Sequence, residues 1–201
     1  MAINNANRAK LEMSGGNTFY FQGPAAKLEK TNGIVFSNQP DIVYGQSVNQ
    51  SPVSLTHTNY TTYAYGGTPS PTIQVTAQFS NVTQEEHEYT QGVIHFLRSV
   101  TKMYYGKKEA EFGPVPAGTP PPVLKFSAFG SNQFNNVPVL VGSFNVPFQS
   151  DTDLVEVGGQ ALPALQTIAL DLLVTVNPAK QKKDFSKAQF VKGSLYSQGF
   201  I

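Results

Sequence analysis

The sequence predicts a mainly β fold with one long α-helix. Three observations carry that prediction. Pro71 to Ser80 alternates strictly, with Ile73, Val75, Ala77 and Phe79 against Gln74, Thr76, Gln78 and Ser80. Period two sends one set to a core face and the other to a polar face. Directly after it the period changes once to helical spacing. The third observation is composition: the 201 residues are 40% hydrophobic but only 13% charged, about half the usual charged share.

The elements follow in order. Residues 1–16 are polar and end in glycine, which predicts an arm. Asn17 to Gln22, with Thr-Phe-Tyr-Phe, is a short strand candidate, as is Gly33 to Ser37. Residues 38–51 are rich in Asn, Gln, Ser and Pro and predict a loop. Val53 to Tyr65, dense in Thr and Tyr, predicts a strand. Gly66 to Pro71 is a break.

Thr83-Gln84-Glu85-Glu86 fits a capping box, in which the Thr83 hydroxyl accepts from the Glu86 N–H and Glu86 reaches back. Tyr89, Val93, Phe96, Leu97 and Val100 form one apolar stripe, and Lys102 and Gly106 suit a helix end. The helix is expected over about 84–104. A long loop, 105–122, follows and closes with Pro120, Pro121 and Pro122. Three prolines remove three donors, so this segment cannot lie inside a sheet.

Val123 to Gly130 and Val137 to Phe148 predict a hairpin. Its second strand changes phase, with Val137, Val139 and Val141 on odd positions but Phe144, Val146 and Phe148 on even ones. A bulge or sharp bend at Gly142 would keep both sets on the core face. Asp151 to Gly159 reads as an acidic loop and Gln166 to Asn177 as a last strand. Residues 180–201 form a basic, aromatic arm with five lysines and one acid, leaving 17–179 as the β domain.

Composition excludes several functions. Net charge is +1, so no global field favours nucleic acid or an acidic membrane. The absence of cysteine removes disulfides, thiol nucleophiles and Cys-based zinc sites. No apolar stretch opens the chain and no run approaches the ~18 apolar residues of a membrane helix, so assembly in the cytoplasm without membrane insertion is expected. His57, His87 and His95 show no HExxH spacing, and packing roles outweigh metal ligation. Asp151, Asp153 and Glu156 lack the glycine and distal glutamate of a calcium loop. No nucleophile elbow, P-loop or dinucleotide fingerprint occurs. No catalytic residue, metal or cofactor is assigned, and an enzyme is not expected. A surface rich in uncharged polar groups suits permanent contact with other protein.

The ordered segments Pro71-Thr-Ile-Gln-Val-Thr-Ala-Gln-Phe-Ser80, Asn81-Val-Thr-Gln-Glu-Glu86, Val93-Ile-His-Phe-Leu-Arg98, Ser99-Val-Thr-Lys-Met-Tyr104, Gly118-Thr-Pro-Pro-Pro-Val-Leu124, Phe134-Asn-Asn-Val-Pro-Val139 and Val176-Asn-Pro-Ala179 resemble the baseplate tail-tube, or tube-initiator, proteins of contractile-tailed bacteriophages. The resemblance covers roughly residues 70–185. It implies a tail-tube-like β-sandwich or partial barrel that completes a β-barrel in a hexameric ring. It also implies a virion protein linking a central hub below to the tail tube above, with DNA passing through the lumen without specific binding.

On this reading the interface candidates are Lys107, Lys108, Glu109, Phe112, Pro120, Pro121, Phe185, Phe190 and Tyr196. Gln74, Thr76 and Gln78 are candidates for the lumen face. Asp151, Asp153 and Glu156 join them because their charge repels DNA phosphates. Two alternatives stay open: the major tail-tube protein itself, and a carbohydrate- or receptor-binding β-module using Tyr60, Tyr63 and Tyr65.

Overall fold

The computed structural model describes residues 7–15, 18–105, 118–148 and 152–201. Along the chain come β1 (Lys10–Met13), 3-10 segments at Thr18–Tyr20 and Gly23–Thr31, β2 (Gly33–Val35), β3 (Asp41–Gly45), β4 (Asn49–Val53), β5 (Thr62–Gly67) and β6 (Thr72–Ser80). Helix α1 (Gln84–Val100) follows, then β7 (Leu124–Ala128), β8 (Phe134–Asn145), β9 (Leu154–Val157), β10 (Gln160–Pro163) and β11 (Leu165–Val174). Short helices α2 (Pro178–Asp184) and α3 (Lys187–Val191) and a 3-10 turn at Tyr196–Gln198 close the chain.

Seven strands form one antiparallel sheet in the order β2-β1-β7-β8-β11-β6-β3. Its two edge strands are neighbours in sequence, joined only by Phe36 to Pro40. A flat sheet of seven strands sets its edges roughly 29 Å apart, whereas the link from Val35 to Asp41 reaches at most roughly 21 Å. The sheet must therefore curl, and it does. Phe36, just past β2, lies against Phe79 on β6 with ring centroids 6.0 Å apart. Tyr44 on β3 meets Phe134 on β8 at 6.0 Å. The result is an incomplete barrel, not a closed one.

Helix α1 packs inside the curl. The Tyr89 hydroxyl accepts from the Val35 N–H at 2.8 Å and donates to the Val35 carbonyl at 2.9 Å. One side chain thus satisfies both outward backbone groups of Val35, a position where an edge strand otherwise invites pairing. Burial raises the Tyr89 hydroxyl above its ordinary pKa.

The capping box forms as expected, with the Glu86 N–H donating to Thr83 Oγ1 and the Thr83 N–H to the Glu86 carboxylate. The helix ends at Val100 rather than near Tyr104. Thr101 closes it, its hydroxyl bonding back to the Leu97 and Arg98 carbonyls. Val93, Phe96, Leu97 and Val100 are buried among Ile73, Val75, Leu124, Phe126, Leu170 and Leu172. Gly92 lets the helix approach the Gly23–Thr31 segment closely; a Cβ there would sit 2.8 Å from the Pro24 carbonyl oxygen.

The phase change in β8 is a bulge at Gly142. Val141 pairs with Leu172 and Ser143 with Asp171, so Gly142 has no opposite residue. Val137 and Val139 are buried before it, and Phe144 and Val146 pack against the core after it.

Several expectations are corrected. Residues 10–13 are not part of an arm: β1 lies between β2 and β7, and Ala9, Leu11 and Met13 are buried. Asn17 to Gln22 yields a 3-10 turn at Thr18–Tyr20, and Phe21 stacks on Phe96 at 5.6 Å. The loop expected over 38–51 contains β3 and the start of β4. The strand expected over Val53 to Tyr65 is a hairpin, with β4 antiparallel to β5. The acidic loop is also a hairpin, because Gly158 (φ 60) and Gly159 (φ 76) allow the tight turn between β9 and β10. The C-terminal segment folds back, so that Gly199 lies against Asn136 and Pro138 of β8 and Leu195 and Phe200 are buried.

Candidate assembly surfaces

The strands β3, β6, β11 and β8 present one bare face to solvent. On β6 it carries the expected Gln74, Thr76 and Gln78 together with Thr72, all exposed, while the alternate residues are buried. Across the sheet, Asp41 pairs with Thr76, Val43 with Gln74, and Asp171 with Gln74 from the other side. Ser143 donates to the Asp171 carboxylate on this face. The surface is mainly uncharged and polar, with Val43 and Leu173 as exposed apolar residues.

This four-strand face has two unpaired margins among the described residues. One is β3, which pairs only with β6. The other is the second half of β8. Strand β7 pairs with β8 from Phe134 to Val139, leaving Leu140 to Asn145 paired only with β11. The strand directions alternate, so β3 runs opposite to β8. A rotation alone therefore sets β3 of one copy antiparallel to β8 of the next. Each margin holds backbone donors and acceptors that another strand can satisfy.

The β4–β5 hairpin extends directly from β3 and is exposed on both faces. Tyr60 is 88% exposed, Tyr63 61%, Tyr65 68% and Leu55 59%. From Gln46 to Pro71 there is no Asp, Glu, Lys or Arg. A lone two-stranded hairpin is marginal in water, and among the described residues this one has no apolar layer beneath it.

The two ends of β6 and β11 differ in charge. At the Ser80–Leu165 end stand Asp153 and Glu156, both exposed on or beside β9, with Glu85 and Glu86 at the start of α1. The backbone N–H of Thr83 and the Ser80 hydroxyl hold the Glu86 carboxyl below the usual range. Glu88 is also lowered, by its Lys27 partner and Gln84. At the Thr72–Val174 end stand α2 and α3, with Lys182, Lys183, Lys187 and Lys192 exposed. Thr175 donates to the Pro138 carbonyl and Lys180 to the Gln198 carbonyl, fastening this segment.

The aromatic residues expected to dock outward mostly meet one another. Phe185 lies 5.8 Å from Phe190 and 5.7 Å from Phe200, and Phe190 lies 6.4 Å from Tyr196. Lys180 sits over Phe200 and Lys187 over Phe190. Phe185 still keeps 41% of its surface exposed. Pro120 and Pro121 are exposed in the extended chain before β7. Lys107, Lys108, Glu109, Phe112 and Asp151 lie outside the described residues. Asp153 and Glu156 stand on the hairpin at the sheet's end, apart from the Gln74–Gln78 row.

A cleft of about 350 Å³ opens where Val35, Ser80, Glu86, Tyr89 and Thr90 meet, with Arg8 at its wall. Thr90 is 1% exposed and its hydroxyl has no hydrogen-bond partner. His87 is buried with Nδ1 unpartnered and Nε2 3.1 Å from Gln91 Nε2. Among the described residues no group of three or more His, Asp or Glu converges as a metal site.

Sequence reasoning missed the two sheet margins, the Tyr89 clamp and the charge division. Ile42-Val43-Tyr44 between Pro40 and Gly45 was a usable strand signal for β3. Nothing local marks Tyr89 as different from its stripe.

No family model matches the chain, and no curated protein matches it. Among solved structures, one similar chain comes from "Tail of empty GTA particle computed with helical refinement, C6 symmetry", with 9% identity, a TM-score of 0.39, and coverage of 88% of this chain and 96% of that one. An identity of 9% supplies no residue-level correspondence.

Proposed function

We propose that this chain is a structural, non-catalytic subunit of a contractile phage tail. On this reading it forms a six-fold ring at the baseplate that joins the central hub to the tail tube and initiates tube assembly. The observation that carries the reading is the β4–β5 hairpin, exposed on every residue but Gly67 and rich in large apolar side chains. No second layer supports it among the described residues, so it stands to gain stability from a partner. The bare face and its margins support the same reading. Four strands from each of six copies, spaced about 4.8 Å apart, give a backbone bore of roughly 37 Å before strand tilt widens it. Gln74, Thr76 and Gln78 then line a polar channel for DNA, which passes without specific contact. Its partners are sister subunits, a tube protein above and a hub protein below, within the virion.

The test is the mass of the purified chain in solution, with negative-stain imaging of any assembly. A hollow six-fold ring or short stack is expected. Long tubes move the reading to the major tube protein. A chain that stays monomeric beside candidate hub and tube proteins overturns it. The exposed tyrosines favour one second reading, a carbohydrate-binding module, since aromatic faces stack on sugar rings. Glycan binding by such a monomer, lost on Tyr63→Ala, selects that reading.

A further inference from the structure

We propose that the cleft where β2, β6 and α1 meet binds a small zwitterion of the amino-acid class, its carboxylate on Arg8, its ammonium on Glu85 and its apolar side chain against Val35 and Tyr89. The inference goes beyond the ring-subunit reading and does not depend on it. The cleft holds about 350 Å³, a size typical of small-ligand sites. Val35 and the Tyr89 ring supply its apolar walls. That ring is fixed in place, because its hydroxyl bonds the Val35 N–H at 2.8 Å and the Val35 carbonyl at 2.9 Å. A preformed wall spares a ligand the cost of ordering it on binding.

The charges define the ligand. Arg8, Glu85 and Glu86 are the charged residues that line the cleft. Glu86 is already engaged: its carboxylate accepts from the Thr83 N–H at 3.2 Å and from the Ser80 hydroxyl at 3.1 Å. Arg8 and Glu85 are not. Among the described residues the ion pairs are Lys10–Glu12 and Lys27–Glu88, and neither Arg8 nor Glu85 has a side-chain partner, each other included. A cation and a carboxylate thus border one apolar-walled cleft without meeting. A molecule carrying both charges bridges them, whereas an anion or a cation alone leaves one unmatched. Thr90 is an independent sign of a ligand. It lines the same cleft and is 1% exposed, and its hydroxyl has no hydrogen-bond partner. A buried hydroxyl left unpaired is destabilising. A polar group of the ligand, or a water held beneath it, supplies the missing bond.

The experiment is calorimetric titration of the full chain with leucine, methionine and phenylalanine, and then with the N-acetyl and amide derivatives of whichever binds best. The free amino acid is expected to bind, and each derivative, lacking one charge, to bind about tenfold more weakly or worse. Two variants assign the charges. Arg8→Gln is expected to weaken the free amino acid but not the amide, which has no carboxylate to lose. Glu85→Gln is expected to weaken the free amino acid but not the N-acetyl form, which has no ammonium. Thr90→Val keeps the shape and removes the unpaired hydroxyl, so it is expected to raise the melting temperature of the unliganded chain while weakening the amino acid. No binding by any of the three at millimolar concentration overturns the proposal. So does an N-acetyl form or an amide that binds as tightly as the free amino acid, since the cleft then takes a chain terminus rather than a zwitterion. Binding unchanged in both Arg8→Gln and Glu85→Gln places the ligand elsewhere and overturns it too. Ring formation is read separately, by imaging the unliganded chain, so the failure of either conclusion is distinguishable from failure of the other.

Discussion

Strands β5 and β6 are separated by only four residues, yet they live in opposite environments. Strand β5 reads Thr-Tyr-Ala-Tyr-Gly-Gly and β6 Thr-Ile-Gln-Val-Thr-Ala-Gln-Phe-Ser. On β6 every second side chain is buried by α1 and the curled sheet. On β5 every residue but Gly67 is exposed. The difference does not arise from strand propensity, which both satisfy. It arises from whether a second layer lies beneath. A pleated strand is stable when one face is covered, and β5 has only β4 beside it. The comparison teaches that β6 completes its packing within the chain, whereas β5 leaves its aromatic residues exposed, open to a partner only on the proposed reading.

The sharpest way to test this contrast is to remove one aromatic from each strand. Phe79→Ala removes a side chain that is 1% exposed and touches Phe36 and Tyr89. It is expected to cost about 3–5 kcal/mol in chemical denaturation of the dissociated subunit. Tyr63→Ala is expected to change that stability by less than about 0.5 kcal/mol while weakening assembly. A large loss of subunit stability in Tyr63→Ala contradicts the contrast.

Two intermediate predictions concern how α1 holds the curl. Gly92→Ala adds a Cβ against the Pro24 carbonyl. Helix propensity alone favours alanine by about 1 kcal/mol, but overpacking costs about 1–3 kcal/mol, so net destabilisation is expected in thermal melts. Tyr89→Phe leaves the Val35 N–H and carbonyl without their shared hydroxyl. A loss of about 1–3 kcal/mol is expected, with faster hydrogen exchange at Val35.

The smallest effect is a pH dependence at the cap. The Glu86 carboxyl is lowered in the folded chain, chiefly by the Thr83 N–H. Its contribution is therefore present above the ordinary carboxylate range and is lost as pH falls through the lowered folded value. Glu86→Gln can keep the reciprocal hydrogen bond without the charge. It should flatten the acid side of the stability profile and leave neutral-pH stability little changed. An acid limb identical to the wild type's shows that the cap does not contribute to it.

Much of the central fold was legible because its causes are local. Alternation at Ile73, Val75, Ala77 and Phe79 identifies β6, and the Thr83–Glu86 box places the start of α1. The shift from Val141 to Phe144 locates the bulge. Strand β1 was missed: Ala9, Leu11 and Met13 alternate with Arg8, Lys10 and Glu12, but the polar surroundings concealed the pattern and the segment was expected to be an arm. The candidate surfaces were less legible. The exposure of Gln74, Thr76 and Gln78 was legible, since one exposed face follows from period two. Phe185, Phe190 and Tyr196 were identified as contact residues, but they turned out to meet largely one another.

The sequence by itself determined which residues alternate, where the helix begins, where a strand must bulge or bend, and that metal sites and disulfides dependent on cysteine are absent. These follow from backbone geometry and side-chain chemistry acting over a few residues. Only the tertiary structure decided that the sheet curls, that Tyr89 seals Val35 and, among the described residues, that two margins stay unpaired and that acids and lysines separate to opposite ends of β6 and β11. Each of these depends on residues distant in sequence being brought together. Val35 and Tyr89, for example, meet only because a five-residue link from Phe36 to Pro40 joins the sheet's two edges.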